Sequence, residues 1–173
     1  MTADGPEGQE PTRDAGSTPI PVGAPGRRNA PEPQPGDDDH VVTVFAAVGG
    51  QPFFDHLVER FYAHVATDDV LLRLYPEKVD LGPAAERLAL FLGQYWGGPT
   101  TYSDRRGHPR LRMRHAPFTI GAEERDHWLA AMLEALEATL PESPLDDELR
   151  GQVRGQMTAY FEMAADAMVN APD

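Results

Sequence analysis

The chain carries six histidines and no cysteine. Disulfide frameworks, thiolate metal sites and cysteine nucleophiles are therefore excluded, and any metal must rest on imidazole or carboxylate. Helical geometry sorts the six. His56 and His64 fall on the polar side of a helical segment, away from the stripe that holds Phe54 and Phe61, and His127 stands beside Asp126 on a similar face. His40 ends an acidic run, and His108 sits in the loop before Pro109. His115 differs. It ends the short run Leu111 to Arg114, and Leu111, four residues earlier, shares its helical face, one that can turn inward. A neutral imidazole there can bind a metal through one ring nitrogen and donate through the other. A lone histidine on such a face is more often a satisfied core residue, so spacing alone leaves both readings open.

The segment Pro52 to Thr67 sets Phe54, Leu57, Val58, Phe61, Tyr62 and Val65 at i, i+3, i+4, i+7 spacing, which predicts a helix with one buried face. Gly49 and Gly50 break the chain before it, and a short helical piece is expected at Val42 to Val48. Asp68 and Asp69 can cap a second short helix through Leu74, which Pro76 should end, leaving Tyr75 at a corner. The next stripe, Ala84, Leu88, Phe91, Leu92 and Tyr95, starts beside Pro83 and stops at Gly97-Gly98-Pro99. Thr100 to Pro109 reads as irregular, followed by the short run Leu111 to His115 before Pro117. Two long helices close the chain. Gly121 to Leu140 aligns Trp128, Ala131, Met132, Ala135 and Leu136, and Leu145 to Asn170 aligns Leu149, Val153, Met157, Tyr160, Ala164 and Met168. No segment alternates with period two between hairpin turns, so the expected fold class is all-α.

Residues 1–40 hold eight of the 17 prolines and three Arg against eight acids. With few aliphatic residues to bury, they are expected to form a disordered tail. Residues 41–173 are long enough for one domain with a single core. The net charge of −13 argues against general binding to nucleic acid or anionic membrane, which needs clustered Lys and Arg. The run Arg105 to Arg114 is a local exception. No segment resembles a signal peptide or approaches the roughly 20 apolar residues of a membrane helix, so a cytoplasmic protein is expected.

The string Tyr95-Trp-Gly-Gly-Pro-Thr-Thr-Tyr102, the string Arg106-Gly-His-Pro-Arg-Leu-Arg-Met-Arg-His-Ala-Pro-Phe118 and Trp128 ten residues beyond it resemble the group II truncated haemoglobins. Phe61-Tyr62 and Leu74-Tyr75-Pro76-Glu77 fit the same family, and the resemblance runs from Val44 to Pro172. It implies a shortened globin, two helices packed over two around haem b, with His115 as the proximal iron ligand and the opposite coordination site open to a diatomic ligand. On that distal side it implies Tyr62, Tyr75 and Trp128 as hydrogen-bond donors, although three aromatics at helical spacing can also be plain core. Ala84 and Leu88 match the family's small residue and gating leucine. Arg87 and Tyr95 match positions that face the haem propionates, and Arg87 beside Glu86 also reads as an exposed helix charge.

The first function implied is reversible binding of dioxygen, and of nitric oxide or carbon monoxide, for transport, storage or protection. The second is redox turnover at the same haem, by nitric oxide dioxygenation or peroxide consumption. The chain shows no strand followed by a Gly-rich dinucleotide loop, so turnover would need an external reductase. A haem-free helical interaction module is the third reading, and it leaves the distal aromatics unexplained.

Overall fold

The computed structural model describes residues 42–75 and 80–171. The tail expected over residues 1–40, with His40, and the helix stop expected at Pro76 lie outside the described residues, as does Glu77 of the resembling string. Among the described residues every regular element is a helix, as the sequence predicts.

Thr43 caps α1 (Val44–Ala47) through its hydroxyl. Gly50, at φ +80, turns the chain into α2 (Gln51–Val65), whose first turn carries Pro52. The expected stripe is buried in full: Phe54, Leu57, Phe61 and Val65 have no exposed surface, and Phe53, Val58 and Tyr62 join them. A phenylalanine so placed contributes about 3–5 kcal/mol relative to alanine. Asp68 caps α3 (Asp69–Leu72) by accepting from the Val70 and Leu71 N–H groups at 2.9 and 3.1 Å.

α4 (Gly82–Tyr95) packs on α2, and here the burial departs from expectation. The buried residues are Ala89, Leu92 and Gly93, with Trp96 just beyond, while Ala84, Leu88, Phe91 and Tyr95 are half-buried. Small side chains at 89 and 93 let α4 approach its neighbours closely, since a Cβ on Gly93 would meet Gln51 Oε1 at 2.7 Å. Ala84, Leu88 and Phe91 of the apolar stripe instead face a cavity. Gly97, at φ +96, passes against Thr43, and the Phe45 N–H donates to the Trp96 carbonyl at 2.9 Å, pinning α1 across the end of α4.

The stretch read as irregular contains a helix, α5 (Thr101–Arg106). The reason is polar. Gln94 of α4 holds Ser103 twice, accepting from its N–H at 2.9 Å and donating to its hydroxyl at 2.7 Å, while the Thr100 hydroxyl donates to Asp104 at 3.1 Å. Tyr102 supplies the one buried side chain. After it come α6 (Leu111–His115), α7 (Ala122–Thr139), a 3-10 turn (Leu140–Glu142) and α8 (Asp147–Met168). α7 packs on α2 and α8, completing a sandwich of α2 and α4 against α7 and α8.

Candidate functional site

Between the helices lies a cavity of about 650 Å³, within the range of cofactor sites. α4 contributes Ala84, Arg87, Leu88 and Phe91 to its wall, α6 contributes Leu111, Met113, Arg114 and His115, and α8 contributes Tyr160, Phe161, Ala164 and Met168. Tyr62, Tyr75 and Trp128 line it as well. Seven of the eight residues singled out in the sequence therefore meet in one space. The eighth, Tyr95, is not in the lining. Its ring stacks on Tyr160 at 4.0 Å between centroids, so it stands behind the wall.

His115 is half-buried at the last residue of α6. Its Nδ1 lies 2.8 Å from the Leu111 carbonyl oxygen. A carbonyl only accepts, so Nδ1 must carry the hydrogen and Nε2 the lone pair. The helix that aligns Leu111 with His115 thus also selects the neutral tautomer whose Nε2 is free to bind a metal. Arg114 ties the preceding loop in place, its Nε donating to the Pro109 carbonyl at 2.8 Å and its Nη2 to that of Arg106 at 2.9 Å. Arg110, just before α6, takes the left-handed conformation at φ 43, which is uncommon for a residue with a side chain.

Tyr62, Tyr75 and Trp128 form one aromatic corner. Tyr62 meets Tyr75 edge to face at 5.7 Å, and Phe61 touches both Tyr62 at 5.0 Å and Trp128 at 5.6 Å. Burial pushes the Tyr62 phenol well up, and the neighbouring Tyr75 hydroxyl adds to it. Burial likewise raises Tyr75. Both phenols therefore stay protonated and able to donate. Arg87 faces the pair closely enough to favour their ionised forms, though burial prevails.

Several lining residues were not singled out in the sequence. Phe91, Tyr160, Ala164 and Met168 appeared there only as apolar stripes, and a stripe does not say whether it faces core or cavity. Glu124 lines the cavity too, held below the usual carboxylate range by Arg73, to which it is paired, and by the Gly121 N–H.

The wall suits a flat apolar group with acidic edges. Phe91, Leu88, Phe118 and Phe161 offer apolar faces, while Arg87, Arg106 and Arg114 offer cations at the lining. Among the described residues no group of three His, Asp or Glu side chains is placed to hold a bare metal ion. His115 alone can do so only if a macrocycle supplies the other ligands. The residues present therefore fit haem.

A family model described as a bacterial-like globin matches residues 43–163. The chain is 36% identical over 121 residues to the group 2 truncated haemoglobin YjbI of Bacillus subtilis, covering 70% of this chain and 84% of that protein. Among solved structures, it is similar to a thermostable haemoglobin from the actinobacterium Thermobifida fusca at 54% identity and a TM-score of 0.68, over 76% of this chain and 99% of that one. It is also similar to the structure described as a truncated oxygen-avid haemoglobin from Bacillus subtilis, at 35% identity and a TM-score of 0.63, over 74% and 99% of the two chains.

Proposed function

The chain belongs to the bacterial-like globins and, within them, to the group II truncated haemoglobins, and on that premise we propose that it binds dioxygen reversibly at one non-covalent haem b held by His115. Membership of the family carries haem and the binding of small ligands at it. Nitric oxide and carbon monoxide belong to the same ligand class.

The observation that supports this reading best is the His115 tautomer, with Nδ1 spent on the Leu111 carbonyl and Nε2 left for iron, in a wall that also holds three polar aromatics. When bound, haem would supply an iron atom able to take up a diatomic ligand. His115 holds the metal, and its Nδ1 hydrogen bond orients the ring and makes Nε2 a stronger donor. Arg87 would pair with a propionate, while Tyr95 stacks on Tyr160 behind the wall and makes no such contact from the lining. Trp128, Tyr62 and Tyr75 each present a polar hydrogen to the ligand, at about 0.5–1.5 kcal/mol per hydrogen bond. Ala84 and Leu88 leave room beside them and keep water out. The oxygen avidity in the description of the Bacillus subtilis relative agrees with such a donor set. With no cysteine in the sequence, no Cys-x-x-Cys-His attachment is possible, so the haem is not joined through cysteine thioethers.

Absorption spectra of the purified protein, ferric and then reduced with and without carbon monoxide, test the reading. About one haem per chain and a ferrous spectrum that shifts with carbon monoxide are expected. His115→Ala should lose the haem or hold it weakly, while changes at His56, His64 and His127 should not. Full occupancy with an unchanged spectrum in His115→Ala would sink the assignment.

A further inference from the structure

α6 is five residues long and buries none of them. With no side chain fully buried, its packing on α8 fixes it weakly, and a helix of this length does not hold itself together. The firmer hold is polar. Before it, Arg114 reaches back to the loop carbonyls described above. After it, the chain from His115 to Ile120 is tied to the end of α8 by Asn170. The Asn170 Nδ2 donates to the Phe118 carbonyl at 2.9 Å and, at 3.4 Å, to the His115 carbonyl. Its Oδ1 accepts from the Ile120 N–H at 3.0 Å. Two carbonyls can be met only by the amide NH2 and an N–H only by the oxygen, so the partners also fix which way the side chain points. The backbone N–H groups of Asn170 and Ala171 add bonds of 2.9 and 3.1 Å to the Ile120 carbonyl. Between these two segments lies a cavity of about 470 Å³ lined by Arg112, Ala116, Val169 and others, so close packing does not join them there.

We infer that Asn170 is a positioning residue for His115: it fixes where the imidazole stands in the cavity wall, and so the bond His115 offers to iron. The inference rests on the reading of His115 as the haem ligand. It gives the C-terminal end of α8 a part in the haem site that no contact with the cofactor would reveal.

The haem-loaded, full-length protein with Asn170→Asp is the sharpest test. Asp keeps the size and the oxygen that accepts from Ile120, but it turns a second oxygen toward two carbonyls. Resonance Raman of the ferrous protein reads the iron–histidine stretching band, and transfer of haem to excess apomyoglobin reads how firmly it is held. The band should move or broaden and transfer should speed up by about fivefold, the equivalent of one neutral hydrogen bond. Asn170→Ala should act in the same direction. Amide hydrogen exchange separates the two variants: Ile120 should stay protected in Asn170→Asp and lose protection in Asn170→Ala. A band and a transfer rate unchanged in both would overturn the inference even if unfolding stability fell, and so would Asp behaving as Asn, which is what a packing role requires. A wild-type protein with no iron–histidine band would instead overturn the reading of His115, and this inference with it.

Discussion

Where Tyr62 and Trp128 line the cavity, its walls are long helices that each bury one face in the core, whereas at His115 the wall is a five-residue helix with no buried residue. Phe61, fully buried, touches both Tyr62 and Trp128, so the donors inherit their positions from apolar packing. His115 inherits its position from hydrogen bonds made by Leu111, Arg114 and Asn170. Packing is non-directional and shared among many contacts, while a polar tie is directional and lost whole with one substitution. The donors of the first region are therefore fixed by the same energy that fixes the fold, and the histidine of the second can be adjusted without disturbing the fold.

The largest effect expected from this contrast is in stability. Phe61→Ala should lower the free energy of unfolding by about 3–5 kcal/mol, the usual cost of emptying a buried phenylalanine site. Met113→Ala on α6, where the side chain is 60% exposed, should stay within about 0.5 kcal/mol. Urea unfolding of both variants checks the pair, and equal losses would erase the distinction between the two regions.

A smaller effect separates donor from wall. Trp128→Phe retains most of the volume and removes the indole N–H, so unfolding should change little. Dioxygen release should accelerate by roughly tenfold if one hydrogen bond of about 1.4 kcal/mol is lost. Carbon monoxide, less polar when bound, should respond little, and a large change in its association rate would report steric opening instead. Stopped flow and flash photolysis read the two ligands. Dioxygen release within a factor of two of wild type would return Trp128 to a plain wall aromatic, leaving Tyr62 and Tyr75 as donors.

The same contrast decides what the sequence reveals. α2, α7 and α8 are legible because burial imposes a helical period on residue type, and the buried set of α2 contains every residue of its predicted stripe. α4 is legible as an element, but Ala84, Leu88 and Phe91 of its stripe line the cavity while Leu92 of the stripe enters the core with Ala89 and Trp96. A face turned to a cavity carries the same apolar residue types as one turned to the core, so periodicity cannot tell a cofactor face from a packed one. α5 escapes because Gln94, Thr100 and Asp104 hold it with polar bonds that leave no period. Asn170 escapes for a related reason. Its partners lie 50 or more residues away in the chain, and an asparagine past a helix end reads as an ordinary stop signal. Spacing to Leu111 separates His115 from the other histidines but leaves a core reading open, and it is the family string that points to a ligand.

The smallest expected effect tests a polar tie in the packed region. His127, one residue before Trp128, lies with its Nδ1 2.7 Å from Asp68 Oδ2, linking the start of α3 to α7. The hydrogen bond to Asp68 raises the imidazole above its ordinary range, with the charges of Asp68, Glu123 and Asp126 adding to it and partial desolvation opposing. Burial pulls the Asp68 carboxyl upward, but the bonds from His127 and from the Leu71 and Val70 N–H groups together hold it below its ordinary range. The signs then follow. A raised imidazole stabilises the fold fully below its unfolded value of about 6.5 and loses that contribution as pH rises through the folded value. A lowered carboxyl stabilises the fold above about 3.9 and loses its contribution as pH falls through the folded value. The stability difference between wild type and His127→Ala should therefore be greatest between about pH 4 and pH 6.5 and shrink on either side. The pair is partly exposed and screened by solvent, so the change should stay well below that of Phe61→Ala. Thermal unfolding of both proteins across that range, at low and high salt, reads it. A difference that stays constant with pH would show that His127 acts by packing alone, and the packed region would then hold its donors without any polar tie at this point.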